Sequence, residues 1–487
     1  MGGVPMSVIT NLEPKLLWKH FDEIRKIPRC SKHEEKIRAY IVAFAKERSL
    51  SYKEDKVGNI VIRKPATKGM ENIPTFVLQG HMDMVCEKNS DVQHDFTKDP
   101  IKLKREGDLL TADGTSLGAD NGIGVAISLA ILEESTIKHG PLEGLFTVDE
   151  ETGLTGAFAL GKDMLKGRIM LNLDSEDFGV ITVGCAGGGD SQVELPIQQT
   201  SPEKSLKGLQ ITIAGLRGGH SGVDAHEQRG NAIKILTRLL WKAANASEIH
   251  LSSIKGGDKH NAIPREASAV IATPATKTKN VIDLIKEEGK YIAEEIKPID
   301  PNLKVDIKNC DLPKTIMTEN AQGKALNLLH ALPHGVDKMS YDIPNLVETS
   351  TNLATVTTEE KKLAVGLSSR SSIMSALQDF RDRIHAVATL AGAKVTENTP
   401  YPGWKPNLDS KILARSKTIF KNMFGEEPKV EAIHAGLECG IIGEKFPGMD
   451  MISIGPTIKY PHSPEEQVHI STVEKFYDYV KKILEYK

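Results

Sequence analysis

Three short apolar runs in this chain each stop at ionisable residues, and no other feature constrains the fold as tightly. Thr75-Phe-Val-Leu-Gln runs into Gly80-His81-Met82-Asp83, Leu145-Phe-Thr-Val into Asp149-Glu150-Glu151, and Ile169-Met-Leu-Asn-Leu into Asp174. Short, nearly continuous apolar runs read as strands buried on both faces. In an α/β sheet the polar residues that follow such strands emerge together at the carboxyl edge, where these folds place their chemistry. Between the first two runs, residues 121–134 read as a helix with Asp120 at its start. The expected fold class is therefore α/β, with a catalytic domain whose mostly parallel central sheet is flanked by helices.

At 487 residues the chain is too long for one core, and its pattern changes after Asp174. From about 187 to 395, strands near 207–214, 267–274, 303–309 and 362–369 alternate with helices near 229–247, 280–294 and 371–391, without acid-tipped ends. This reads as a second α+β domain inserted into the first, over 187–398, leaving 1–186 and 399–487 as the discontinuous domain that carries the chemistry. The glycine run 184–189 and Asn398-Thr-Pro-Tyr-Pro-Gly mark the junctions. Upstream, Pro14 opens a helix striped by Leu17, Phe21, Ile24 and Ile27, and Ser31 with Glu34 forms a capping box for a helix reaching Arg48. Residues 57–63 read as a strand. Downstream, helices are expected over 408–423 and 471–486, and strands over 430–433 and 451–454.

Charge excludes several functions. A formal net charge of -3 lacks the positive excess that binding to nucleic acid or an anionic membrane requires. The longest apolar stretch, 122–132, is far short of a membrane span, and neither a signal peptide nor a myristoylation pattern opens the chain. Five scattered cysteines without a CxxC pair suggest a reducing, cytoplasmic setting; Cys86 and Cys185, with no base nearby in sequence, read as small, buried and inert. The 184–189 glycines lack the GxGxxG spacing of a dinucleotide loop, and no GxSxG elbow is present.

The chemistry-bearing residues are His81, Asp120, Glu151, Asp174 and His462. Nitrogen and oxygen donors without thiolates suit zinc, manganese or cobalt. A two-ion site needs one shared carboxylate, and an aspartate between a histidine-bearing strand and two acid-bearing strands can supply it. Glu150 beside Glu151 allows one carboxylate to ligate while its neighbour faces the nucleophilic water. Asp83, two residues after His81, is placed to orient the ring.

Taken in order, these motifs resemble the M20 family of metallopeptidases: His81-Met-Asp83, Ala119-Asp120-Asn121-Gly122, Asp149-Glu150-Glu151 and Asp174. The similarity extends through Gly215-Leu-Arg-Gly-Gly-His-Ser-Gly, Leu346-Val-Glu-Thr-Ser-Thr-Asn and His462-Ser-Pro-Glu, and is greatest to the bacterial aminoacyl-histidine dipeptidase branch. The resemblance implies two divalent ions per subunit, zinc foremost with cobalt or manganese as alternatives. Asp120 would bridge them, His81 and Asp174 completing one site, Glu151 and His462 the other. Glu150 would be the general base, Asp83 the orienting acid and His220 a donor to the oxyanion. Asn261 and Arg370 would hold the substrate's carbonyl and carboxylate, and Glu438 its free amino end. Glu438 also fits an ordinary acid at a helix start.

The implied activity is hydrolysis of dipeptides with a free amino terminus, preferring Xaa-His, β-Ala-His included. A broader dipeptidase or tripeptidase, a carboxypeptidase or an N-acyl amino-acid deacylase shares the metals and stays open. A non-catalytic metal scaffold would have no use for Glu150. The resemblance further implies that the inserted domain, 187–398, is a lid and that a homodimer forms through it, with His220 acting either across it or within one chain.

Overall fold

The structure, a computed structural model, describes residues 8–485. Two compact units divide the chain: one comprises the residues through Gly184 with Pro406–Ala432 and those from Leu437 onward, the other Cys185–Lys405 with Ile433–Gly436.

An eight-stranded sheet organises the first unit. Its order is Ser51–Glu54, Ile60–Lys64, Leu142–Thr147, Phe76–His81, Ile169–Asn172, Asp450–Ser453, Val180–Cys185 and Lys429–Ile433. The sheet is parallel at its centre. Phe76–His81 pairs in parallel with Leu142–Thr147 and with Ile169–Asn172, which pairs in parallel with Asp450–Ser453; the pairings of Ser51–Glu54, Ile60–Lys64 and Val180–Cys185 are antiparallel. The central strands are the acid- and imidazole-tipped runs of the sequence, and both Phe76–His81 and Leu142–Thr147 are buried throughout. Registers of His81 with Thr147 and of Gln79 with Asn172 bring their carboxyl ends level.

The helix Ala119–Glu133 is apolar on nearly every side and buried along almost its whole length, as a helix without a polar face must be. The amphipathic helix Lys15–Ile24 packs on it, burying Leu17, Phe21 and Ile24; Ile27 lies beyond its end. The expected capping box does not form. The second helix spans Glu35–Glu47, Ser31 Oγ donates instead to Asp83 Oδ2 (2.8 Å), and Glu34 Oε1 accepts the backbone N–H groups of Lys32 and Asp149. A second correction concerns the cysteines. Cys30 and Cys86 are joined in a disulfide with Cα atoms 5.7 Å apart, while Cys185 is buried and takes no part in a disulfide. Their separation of 56 residues hides a proximity created by the pairing of Cys30 with Met84.

The second unit is a nine-stranded sheet whose pairings are antiparallel, ordered Lys304–Cys310, Leu206–Ala214, Ala267–Pro274, His250–Gly256, Val347–Thr358, Lys362–Ser371, Gly187–Pro196 and Lys394–Glu397, with Gly335–Met339 added beside Val347–Thr358. Helices Ala232–Ala246, Thr278–Ile296, Glu319–Ala331 and Met374–Ala391 share one apolar core with it. Val347–Thr358 escaped the sequence reading because its first half is polar: Glu348 to Asn352 are all buried, with hydroxyl pairs between Thr349 and Ser371 and between Thr351 and Ser369. No helix among the described residues is long and apolar enough to cross a membrane.

His20 is buried between helices, its Nε2 2.8 Å from a Glu133 carboxylate already paired with Arg48 and its Nδ1 3.0 Å from the Tyr40 hydroxyl. The neutral ring satisfies both partners by donating from Nε2 and accepting at Nδ1. Burial is the main cause that lowers its pKa to about 4, against the pull of Glu133. The unfolded chain therefore binds a proton near pH 6.5 that the folded one refuses until about 4. Stability from this site is complete above pH 6.5 and falls as the pH drops towards 4, by about 3 kcal/mol at the limit. In urea titrations, His20→Gln should be less stable than the parent at pH 7.5 and lose less stability between pH 7 and 4.5.

Candidate metal centre

His81, at the last position of its strand, is 1% exposed. Its Nε2 lies 3.1 Å from Asp120 Oδ1 and 3.3 Å from Asp174 Oδ1. On the other side of Asp120, Oδ2 lies 3.0 Å from His462 Nε2, which is also 3.0 Å from Glu151 Oε2. Each oxygen of one carboxylate thus faces a different imidazole, and two donor sets form around it: His81, Asp120 and Asp174, and Asp120, Glu151 and His462. Glu150 joins His81 and Glu151 in a third close group.

The donors fit divalent ions. Asp174 Oδ1 and Glu151 Oε1 are buried without a hydrogen-bond donor, as carboxylate oxygens reserved for a cation would be. Burial pushes the pKa values of Glu150, Glu151 and Asp174 up, assisted by neighbouring carboxylates, whereas the two histidines outweigh burial and hold Asp120 down. His462 is raised to about 11 by Asp120 and then Glu151; burial opposes a rise at His81, but Asp174, Asp120 and Asp83 outweigh it. So dense a group of acids around two imidazoles is the charge pattern a hard or borderline cation neutralises.

Asp83 supports the centre from beneath. Fully buried, it accepts from the Ser31 hydroxyl and from the backbone N–H groups of Glu150 (3.1 Å) and Glu151 (3.2 Å), and its Oδ1 is 3.2 Å from His81 Nδ1, outside aligned hydrogen-bond geometry. Burial works against its charge, but His81, the Glu150 N–H and Ser31 bring its pKa down to about 2. Glu438 opens the helix Glu438–Lys445 and is fully buried, so the helix-start reading and a site role coexist. Its Oε2 accepts from Gln79 Nε2 (2.6 Å) and Thr147 Oγ1 (2.7 Å), and its Oε1 has no hydrogen-bond donor; burial raises its pKa to about 7.

His220, Asn261 and Arg370 belong to the second unit. The Nδ1 of His220 accepts from the N–H groups of Gly222 (3.2 Å) and Val223 (2.9 Å), which fixes the tautomer with the proton on Nε2. Burial and then Arg370 lower its pKa, so the ring is a neutral donor. Arg370 is buried with Nη1 2.8 Å from the Tyr401 hydroxyl and with Nε unpartnered. Asn261 is exposed, and its carbonyl accepts from Ser221 N. His434, buried against the Ser350 hydroxyl, carries a pKa of about 3 through burial, Arg370 and His220. Sequence reasoning gave His434 no role; a lone histidine in a strand-to-helix turn offers no signal.

It also missed Arg29 and Glu466. Arg29 Nη1 donates to the carbonyls of Met82 and Asp83 and Nη2 to that of Gly118. Glu466 accepts four backbone N–H groups in the loop before Asp120. Its distance of four residues from His462 was the available hint.

A parallel-centred sheet with this constellation at its carboxyl edge defines a metallopeptidase of the M20 class. The sequence profile of Peptidase family M20/M25/M40 matches residues 77–486, and the chain belongs to that family. It is 41% identical over 479 residues to the cytosol non-specific dipeptidase of Escherichia coli K12, covering 98% of this chain and 99% of the relative. The crystal structure of aminoacylhistidine dipeptidase from Vibrio alginolyticus superimposes with a TM-score of 0.92 at 44% identity, covering 98% of each chain. Aminopeptidase PepT from Bacillus cereus shares the fold at 17% identity, covering 97% of this chain and 98% of its own, with a TM-score of 0.57.

Zinc or manganese added to the metal-free protein should raise its melting temperature, each site contributing about 2.7 kcal/mol at a hundredfold excess over Kd. Asp120→Asn, which removes the charge both donor sets share, should abolish most of that rise in differential scanning fluorimetry.

Proposed function

We propose that the chain is a two-metal dipeptidase that cleaves dipeptides with a free amino terminus, with Xaa-His substrates preferred. The observation that carries this reading is the division of the Asp120 carboxylate between His81 and His462, with Glu150 alongside. His81 and Asp174 would hold one ion, Glu151 and His462 the other, and Asp120 both; zinc, cobalt and manganese all suit these donors. When bound, such a pair supplies positive charge that lowers the pKa of a water and polarises the scissile carbonyl.

The chain's own groups account for the remaining steps. Glu150 takes the proton of the attacking water and returns it to the departing amine. Asp83 orients His81. His220, protonated on Nε2, donates to the carbonyl oxygen as negative charge develops there. Arg370 offers a planar fork for the substrate carboxylate, Asn261 a contact to its carbonyl, and the unpartnered Glu438 Oε1 an acceptor for its ammonium. We assign the second unit as the lid and dimer surface and the cytoplasm as the compartment, supported by the family resemblance and by relatives named as a cytosol dipeptidase and an aminoacylhistidine dipeptidase.

A steady-state panel of β-Ala-His, Gly-His, Leu-Leu, a tripeptide and N-acetyl-His tests the reading. The His dipeptides should be cleaved best, and Glu150→Ala should lose about 10²–10⁴ in kcat. Best cleavage of N-acetyl-His would sink the free-amine role of Glu438 and select a deacylase. Arg370→Lys should raise KM about tenfold with a smaller change in kcat, because an ammonium cannot form two parallel bonds to one carboxylate.

A further inference from the structure

Two histidines complete the donor sets, and they are held in different ways. His81 ends a strand at the centre of the sheet and is 1% exposed, whereas the His462 side chain is 49% exposed and sits on a turn. Around that turn Tyr460 and His462 both adopt left-handed backbone conformations, at φ 54° and 61°. Internal hydrogen bonds shape it: Ser463 Oγ donates to the Tyr460 carbonyl (2.8 Å), Glu465 N donates to Ser463 Oγ (3.2 Å), and Glu466 N donates to the Ser463 carbonyl (3.1 Å). These bonds define its shape but do not connect it to Asp120.

Glu466 supplies that connection. It is 1% exposed, and its carboxylate closes on four consecutive backbone N–H groups, with Leu117 (2.7 Å) and Gly118 (2.8 Å) on Oε2 and Ala119 (2.8 Å) and Asp120 (3.2 Å) on Oε1. The carbonyl of Gly118 is held by Arg29, which also holds the Met82 and Asp83 carbonyls beside His81. The loop that presents Asp120 is thus gripped on its N–H side by the His462 turn and on its carbonyl side by a residue tied to the His81 strand end.

We infer that Glu466 is a positioning residue that locks the His462 turn to the Asp120 loop and thereby sets the affinity of the Asp120–Glu151–His462 site selectively. The selectivity follows from the asymmetry of support. Without the carboxylate, His81 keeps its strand-end position and Asp174 its place just past Ile169–Asn172, while a half-exposed ring on a turn held through its flanking strands Ile458–Lys459 and Gln467–His469, but no longer to the Asp120 loop, loses its orientation. Outer groups that orient metal ligands commonly govern affinity over about 10- to 100-fold. The inference rests on the two-ion reading proposed above.

Metal-free protein titrated with Co²⁺, with uptake measured by competition against a chromogenic chelator and by visible absorption, distinguishes the possibilities. The parent chain should take up two ions. Glu466→Gln, which keeps the shape but turns an amide towards N–H donors, should bind the first ion within about threefold of the parent and the second about 10- to 100-fold more weakly. His462→Ala should give the same one-ion spectrum at intermediate metal. Unchanged affinity for both ions in Glu466→Gln, or equal weakening of both together with a lower metal-free melting temperature, would overturn the positioning role. If Glu466→Gln does not fold, Ser463→Ala loosens the same turn while leaving Glu466 in place, and the same selective loss is expected; equal affinities there would count against the inference. A parent chain that binds no second ion would overturn the two-ion reading and this inference with it.

Discussion

The position of the Asp120 carboxylate is the constraint on which the geometry of the first unit's donor groups depends. Its oxygens can face His81 and His462 together only if a loop, a strand end and a turn from the far end of the chain are fixed against one another. The parallel centre of the sheet sets the strand end, since the register of His81 with Thr147 and of Gln79 with Asn172 levels the edges from which Asp83, Glu150 and Asp174 emerge. The surrounding antiparallel strands widen the platform without adding a donor.

Beneath the donors lies a buried polar layer that a sheet interior would ordinarily exclude. Thr147 and Gln79 donate to Glu438, Asn172 donates to Gln79 Oε1 (2.5 Å), Ser453 donates to Asn172, and Ser175 pairs with Ser453 (2.8 Å). These bonds cross the four parallel strands just below the carboxyl edge and end beside Asp174. Polar groups in such a place are tolerated only when satisfied, and a satisfied network holds one geometry. A centre that must keep several acids in fixed positions gains rigidity from it.

Much of this was legible in the sequence because burial and chemistry coincide there. Apolar runs tipped with His81, Glu150, Glu151 and Asp174 announce both a central strand and a site, and the family motifs add Asp120 and His462. What was not legible depends on contacts distant in sequence. Arg29 and Glu466 act through backbone groups, which leave no residue pattern at the receiving end. Ser31 and Glu34 fit a local capping box, yet Asp83 and the Asp149 N–H competed for them and won. The polar first half of Val347–Thr358 gives no apolar signal yet lies in a core strand, where neighbouring hydroxyls bond Thr349 and Thr351.

Asp450–Ser453 lies between Ile169–Asn172 and Val180–Cys185 in the sheet, although more than two hundred residues, including the second unit, separate it from them in the chain. During synthesis, which proceeds from the amino end, the nascent first unit therefore exposes the unpaired edge of Ile169–Asn172 until almost the whole polypeptide has left the ribosome. The intervening unit, with its own antiparallel sheet and core, has by then had time to fold. The arrival of the last segment fills the gap in the sheet and delivers His462 to the Asp120 carboxylate, so maturation of the core and completion of this donor group are one late event.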